Sequence, residues 1–220
     1  MLFGKRFLQK MEYKFRRYAV TNLMSIIIFG MALVVVFDGL SFASIGAPME
    51  GALMFNRQAI MQGQIWRIIT FIFIPIPSSL LFIVFVLYFY WLIGQTLERE
   101  WGAFKFNVFY FSGVIFAAIP GFIFGGTTNY YLNMSLFFAF ALLYPNFQLL
   151  LFFIIPIKIK VLAIIDAVLF AIDLFSPKTP VYRKAALLLA VLNIIIFFGG
   201  DFFTTVRNMR RKQRWTSGRF

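Results

Sequence analysis

"LIGQTLEREWGAFKFNVFYFSG", residues 92–113, sets a short charged cluster between two apolar runs. Gly94 and Glu98 lie four apart and Trp101 three further on, so on a helix the three share one face. A glycine there lets a second helix come close. A carboxylate at the same end can accept from orphan backbone N–H groups or pair with an arginine. A tryptophan at the end of an apolar run marks a membrane–water interface. The stretch therefore reads as the junction of two membrane helices if the flanking runs are long enough to span.

They are. The chain has 220 residues, of which 61% are hydrophobic and only 13% charged. Soluble domains carry about 45–50% apolar and about 25% charged residues. The apolar excess is gathered into runs near the roughly 20 residues a bilayer demands, which predicts a polytopic all-α membrane protein of one domain. Six spans are expected, at about 21–42, 78–95, 103–124, 131–144, 161–175 and 185–205. Pro75 and Pro77 cannot lie inside a regular helix and so mark the entry to the second span. The loop before it, "SIGAPMEGALMFNRQAIMQGQIWR", holds enough Met, Leu and Ile to dip into the interface. The fourth run is short and stops at Pro145. "LLLFFIIPIKIK" after it suits neither helix nor span and reads as an extended or interfacial connector.

An even number of spans puts both termini on one side, and the charges choose the side. Sixteen of the 21 Lys and Arg fall with the termini, leaving 57, 67, 178, 183 and 184 opposite. Positive charge stays cytoplasmic, so both ends are expected inside. This distribution also accounts for the net charge of +13, which points to anionic lipid rather than nucleic acid. Residues 1–20 form a basic segment with Phe3, Phe7, Met11 and Phe15 at four-residue intervals; an amphipathic helix on the headgroups and a solvated tail fit it equally. No cleavable signal peptide is expected there, for want of an apolar stretch and a small-residue cleavage site. Residues 21–205 form the membrane domain and 206–220 a basic cytoplasmic tail. The compact chain, without an organelle-retention signal at its end, suits a bacterial plasma membrane. No internal repeat supports an inverted-repeat transporter. The chain contains neither cysteine nor histidine, which excludes thiol chemistry, disulfides and every histidine base or ligand. No metal or cofactor is expected.

Two further features join the opening stretch. Trp66 and Arg67 form a Trp-Arg pair in the first long loop, and Gly102 completes a Gly-x-x-x-Glu-x-x-Trp-Gly pattern with Gly94, Glu98 and Trp101. Together with six helices, cytoplasmic termini and a short fourth span, these resemble the rhomboid superfamily over roughly residues 15–205. The resemblance implies a six-transmembrane rhomboid-like bundle. In active rhomboids a serine in Gly-x-Ser-Gly on the fourth span pairs with a histidine on the sixth. The matching place here reads Asn133-Met134-Ser135-Leu136, without either glycine. The second-span positions that help stabilise the oxyanion fall near Phe82 and Val86, and the sixth span has no histidine.

The resemblance thus implies a pseudoprotease of the derlin-like kind, not an enzyme. It would bind transmembrane segments of client proteins, with membrane lipids as surroundings and no soluble small-molecule substrate. Ser135 would be the vestige of a nucleophile, Trp66 and Arg67 would anchor the loop, and clients would enter between the second and fifth spans. Two rivals stay open. One is an intramembrane serine protease with an atypical base, for which Lys184 is the candidate, since a buried lysine can serve. The other is a small transporter using Asp166, because ionisable groups inside spans are costly and often functional. Asp173 lies two turns from Asp166 on the same face, and Asn193 of the sixth span is the expected partner of Asp166. Asp201 is expected to meet local Lys or Arg.

Overall fold

The computed structural model describes residues 12–45, 49–76, 79–151 and 155–197. The basic tail 206–220, most of the N-terminal segment, Pro77 and Asp201 lie outside the described residues. The chain is mostly helical. Its long elements are α1 (Leu23–Ile45), α2 (Leu80–Trp101), α3 (Ala103–Phe124), α4 (Tyr130–Leu143), α5 (Ile159–Phe175) and α6 (181–197, to the limit of description). Among the described residues, three stretches are long and apolar enough to cross a membrane by length and composition: Glu12–Leu40, Leu81–Trp101 and Ala103–Phe124.

α2 continues six residues past the expected end at Gln95, and a single residue then turns the chain into α3. Gly102 makes this possible with φ +82° and ψ 153°, a conformation that only glycine adopts without strain. α6 begins directly after Pro180, four residues before the expected start, because Tyr182, Arg183 and Lys184 supply its first turn. Between α1 and α2 the chain makes short helical pieces at Glu50–Leu53, Arg57–Met61 and Arg67–Thr70, then a 3-10 turn at Phe71–Phe73. The connector after α4 is extended, as its alternating Ile and Lys suggest. β1 (Gln148–Leu151) pairs antiparallel with β2 (Ile155–Lys158), Gln148 opposite Lys158.

α4 is the central element. It packs against α2, α3 and α5, and Tyr131, Leu132, Ser135, Leu136, Phe137, Ala139 and Phe140 along it are all buried. At 14 residues it is about 21 Å long, short of the roughly 30 Å hydrocarbon thickness. α1 packs on α2, with Met24, Ile27 and Met31 buried against Tyr90, Ile93 and Leu97. α5 rests on α4 and on β2.

The exterior is apolar. Ile164, Ile165, Val168, Leu169 and Ile172 of α5 are exposed, as are Phe111, Ile115 and Ile119 of α3. Asn107, Asn129, Asn133, Ser135 and Asn193 are buried instead. A water-soluble monomer rarely exposes apolar patches beyond a few hundred Å², so this inside-out distribution is compatible with a lipid surround.

Candidate functional site

Ser135 faces the interior of the bundle, 1% exposed. Its hydroxyl donates to the Leu132 carbonyl at 2.7 Å, one turn back on its own helix. This i→i−3 bond is the ordinary way for a serine to satisfy itself within a helix. Among the described residues it is the only hydrogen bond of that hydroxyl, and no base accepts its proton. Leu136, fully buried, fills the next position. Val86, with Met31, Ile83 and Tyr90, lines a small apolar cleft that Asn133 also reaches. Phe82 points outward, tilted against Phe85 with centroids 6.1 Å apart. The side chains of Phe82 and Val86 are thus both hydrocarbon. Among the described residues four buried side-chain atoms have no hydrogen-bond partner: Asn133 Oδ1, two residues before Ser135, and Glu98 Oε2, Asn107 Oδ1 and Tyr110 Oη elsewhere.

The pattern that opened the sequence reading is a helix-end joint. A Cβ at Gly94 would run into the Met24 side chain, so the glycine sets how close α1 and α2 lie. Glu98 Oε1 accepts the Asn22 backbone N–H at 2.7 Å. Asn22 has φ 55°, a left-handed conformation that asparagine tolerates better than most residues. α1 has no acidic residue in its own first turn, so a carboxylate from α2 meets the positive end of α1. Beside it Gln95 Nε2 donates to Ser25 Oγ at 2.9 Å, and Trp91 Nε1 donates to the same oxygen at 3.1 Å. Trp101 packs edge-on against Phe109 at 5.4 Å, which ties the turn at Gly102 to α3.

Trp66 and Arg67 form a second joint. Arg67 Nη1 donates to the carbonyls of Gly51 at 2.8 Å and Met54 at 2.9 Å, while its Nε donates to Gln64 Oε1 at 2.7 Å. Thr70 Oγ1 donates to Leu53 O at 2.8 Å and Trp66 Nε1 to Ala52 O at 3.4 Å. Four successive carbonyls at the end of the one-turn helix Glu50–Leu53 therefore accept from side chains of 66–70. These are carbonyls a helix of that length cannot satisfy itself. These bonds tie residues 64–70 to the turn at Gly51–Met54.

Asn193 does not partner Asp166. Its Oδ1 accepts from Ser112 Oγ at 2.8 Å and its Nδ2 donates to Phe109 O at 3.2 Å, joining α6 to α3. Helix rotation decides this: α6 turns its asparagine toward α3, where Gly113 leaves room beside it. Asp166 is half-buried and lies within electrostatic reach of Tyr90 and Tyr130. Asp173 is two turns along and faces a different environment, at the end of the bundle. Lys184 is half-buried, and its side chain makes no hydrogen bond or ion pair among the described residues.

Sequence reasoning missed Asn129. It precedes α4 and donates from Nδ2 to Ile72 O at 3.0 Å and Ile74 O at 2.8 Å, fixing the entry of α2 to the start of α4. The turn "GGTTNY" signalled only that a polar residue would stand there. It likewise missed Ser112, whose hydroxyl is unremarkable inside an apolar run. No group of three or more Asp or Glu that could hold a metal occurs among the described residues. Compared with known proteins, the chain matches no family model, no curated protein and no solved structure.

Proposed function

We propose that the chain is a six-span integral membrane protein of a bacterial plasma membrane, with both termini cytoplasmic, that holds transmembrane segments of client proteins without cutting them. On this reading it is a rhomboid-like pseudoprotease serving regulation or quality control. The observation that carries the reading is the state of Ser135: buried, bonded to Leu132 O at 2.7 Å and without a base. A serine hydroxyl lacking a base within hydrogen-bond reach is a poor nucleophile. Around it the two joints that resemble the family motifs are engaged, Arg67 on the loop carbonyls and Glu98 Oε1 on the start of α1. Such a chain keeps a scaffold and dispenses with the chemistry.

The placement of α5 supports the client gate. It is packed on α4 and the hairpin and makes little contact with α2. Val168 and Leu169 face outward, as Leu81 and Val84 of α2 do. An exposed apolar face on each of these helices suits an apolar helix as occupant, associating through packing in the bilayer.

A photo-crosslinker placed at Val84 or Val168 in native membranes should trap membrane proteins through their transmembrane segments. Ser135→Ala should leave those adducts unchanged, and a serine-directed phosphonate should label neither form. Absence of membrane-protein adducts from both positions would refute client binding. Labelling abolished by Ser135→Ala would restore the protease, and proton or solute flux in liposomes lost with Asp166→Asn would favour the transporter.

A further inference from the structure

At the end of the bundle away from the hairpin, the start of α4, the last turn of α5 and the first turn of α6 enclose a cavity of about 300 Å³. Asp173 and Arg183 both stand in its wall. They do not pair: no ion pair or side-chain hydrogen bond engages either of them among the described residues. Three tyrosines, Tyr130, Tyr131 and Tyr182, line the same space, with Thr127 and Thr128 at one side. None of these five hydroxyls hydrogen-bonds to the protein either. Tyr131 is the telling one, for it is only 7% exposed. Its ring is fixed edge-on to Tyr130 at 5.1 Å and to Phe170 at 5.8 Å. Its hydroxyl is not among the buried unsatisfied atoms of the described residues, so the ring is packed and the oxygen opens onto the cavity beside the two unpaired charges.

The wall defines a partner for them. A guanidinium takes a phosphate through two parallel N–H bonds. A carboxylate among tyrosine rings takes an ammonium, which the ring faces also attract. Opposite charges held apart across one cavity fit a ligand that carries both. Hydroxyls able to accept favour an ammonium with N–H donors over a quaternary one, which has none to give. Ile172, Phe175 and Val181, sequence neighbours of Asp173 and Tyr182 in the wall, are exposed and apolar, a surface along which acyl chains would run.

We propose that this cavity binds the headgroup of a phosphoethanolamine lipid, its phosphate on Arg183 and its ammonium on Asp173 among the tyrosines. The inference rests on the membrane embedding proposed above and not on client binding, since the exposed apolar faces of α2 and α5 named there contribute no residue to the cavity. The full chain, reconstituted in nanodiscs of mixed lipid and analysed by native mass spectrometry, should retain phosphatidylethanolamine over phosphatidylcholine and phosphatidylglycerol by about tenfold. That is the discrimination expected when one charge-assisted bond is lost. Arg183→Gln and Asp173→Asn, both near the surface of the fold, should each abolish the preference. Equal retention of the three lipids, or a preference that survives both variants, would overturn the proposal. So would binding of free phosphoethanolamine without lipid selectivity, which would assign the cavity to a soluble solute. Crosslinking at Val84 reports on the client reading independently of all these outcomes.

Discussion

Arg67→Gln should release the loop between α1 and α2 without unfolding the bundle. Arg67 makes two charge-assisted bonds to main-chain carbonyls, at 2.8 and 2.9 Å, and one to Gln64 at 2.7 Å. Bonds of this kind contribute about 1.5–3 kcal/mol each when sheltered. The side chain is half-exposed, so about 1–1.5 kcal/mol for each carbonyl bond is the fairer figure. Loss of both then costs about 2–3 kcal/mol, confined to the segment around Gly51–Met54. Thr70 and Trp66 still hold Leu53 O and Ala52 O, but Gly51 O and Met54 O are freed. The readout is amide exchange at Ala52 and Met54, whose N–H groups donate to Met49 O and Glu50 O. Their opening should become about 30- to 150-fold more frequent, the population change equal to that free energy. Arg67→Lys should recover part of the protection, because a single ammonium cannot serve both carbonyls and Gln64 at once. Arg57→Gln is the control: it changes a cation in the same loop with no such bonds. If Arg67→Gln leaves exchange at Ala52 and Met54 as it was, or if Arg57→Gln matches it, the clamp is not what holds the loop.

Three further perturbations test the remaining joints. Glu98→Ala removes the acceptor of the Asn22 N–H and the negative charge at the start of α1, which should cost about 1–3 kcal/mol in thermal unfolding in detergent; an unchanged midpoint would argue against the joint. Gly94→Ala drives a methyl group into Met24 and should cost about 1–3 kcal/mol. Met24→Ala in the same chain should recover some of it, and strictly additive losses would contradict the contact. Glu50, whose backbone N–H donates to Asp38 Oδ1 at 3.0 Å, has its carboxyl raised above the ordinary 4.5, first by burial and second by Asp38. A raised acid favours the folded loop below that value and loses this contribution as pH climbs through the raised one. Exchange in residues 49–54 should therefore quicken as pH rises out of the acid range, after correction for the intrinsic rate, and Glu50→Gln should flatten the dependence.

What could be read from the sequence was whatever lies within one element or at its ends. Gly94, Glu98 and Trp101 share a face because helical spacing dictates it; that Gly102 alone joins the two helices was not legible, since the second span was expected to end at Gln95. Arg67 next to Trp66 at the head of a short helix was legible as an anchor, though the carbonyls it would take were not. The extended connector was legible because Pro156 and alternating Ile and Lys suit a strand. The ends of α2 and α6 were misplaced because hydropathy falls off before the helix does: Leu97 is fully buried among charged neighbours, and Arg183 begins a helix that the apolar run joins only later.

Contacts between helices were a different matter, and Asn193 shows why. Its partner Ser112 lies 81 residues away, and α3, which carries it, is apolar nearly all round, so no stripe says which side turns inward. Rotation about the axis then decides which polar groups meet, and rotation is set by packing details such as Gly113 beside Leu132. In a soluble helix the polar face fixes that angle, because water claims it. In a bilayer no such claim is made, so buried amides and hydroxyls carry the orientation information instead: Asn193 on Ser112, Asn129 on Ile72 O and Ile74 O, Gln95 on Ser25. Each of these bonds locks one helix against one neighbour. Asp173 and Arg183 break the pattern, being strongly polar, adjacent in the fold and locked to nothing. They differ from Ser135 in chemistry as well as in place: Ser135 is satisfied within its own helix, whereas the two charges face one cavity without an ion pair among the described residues.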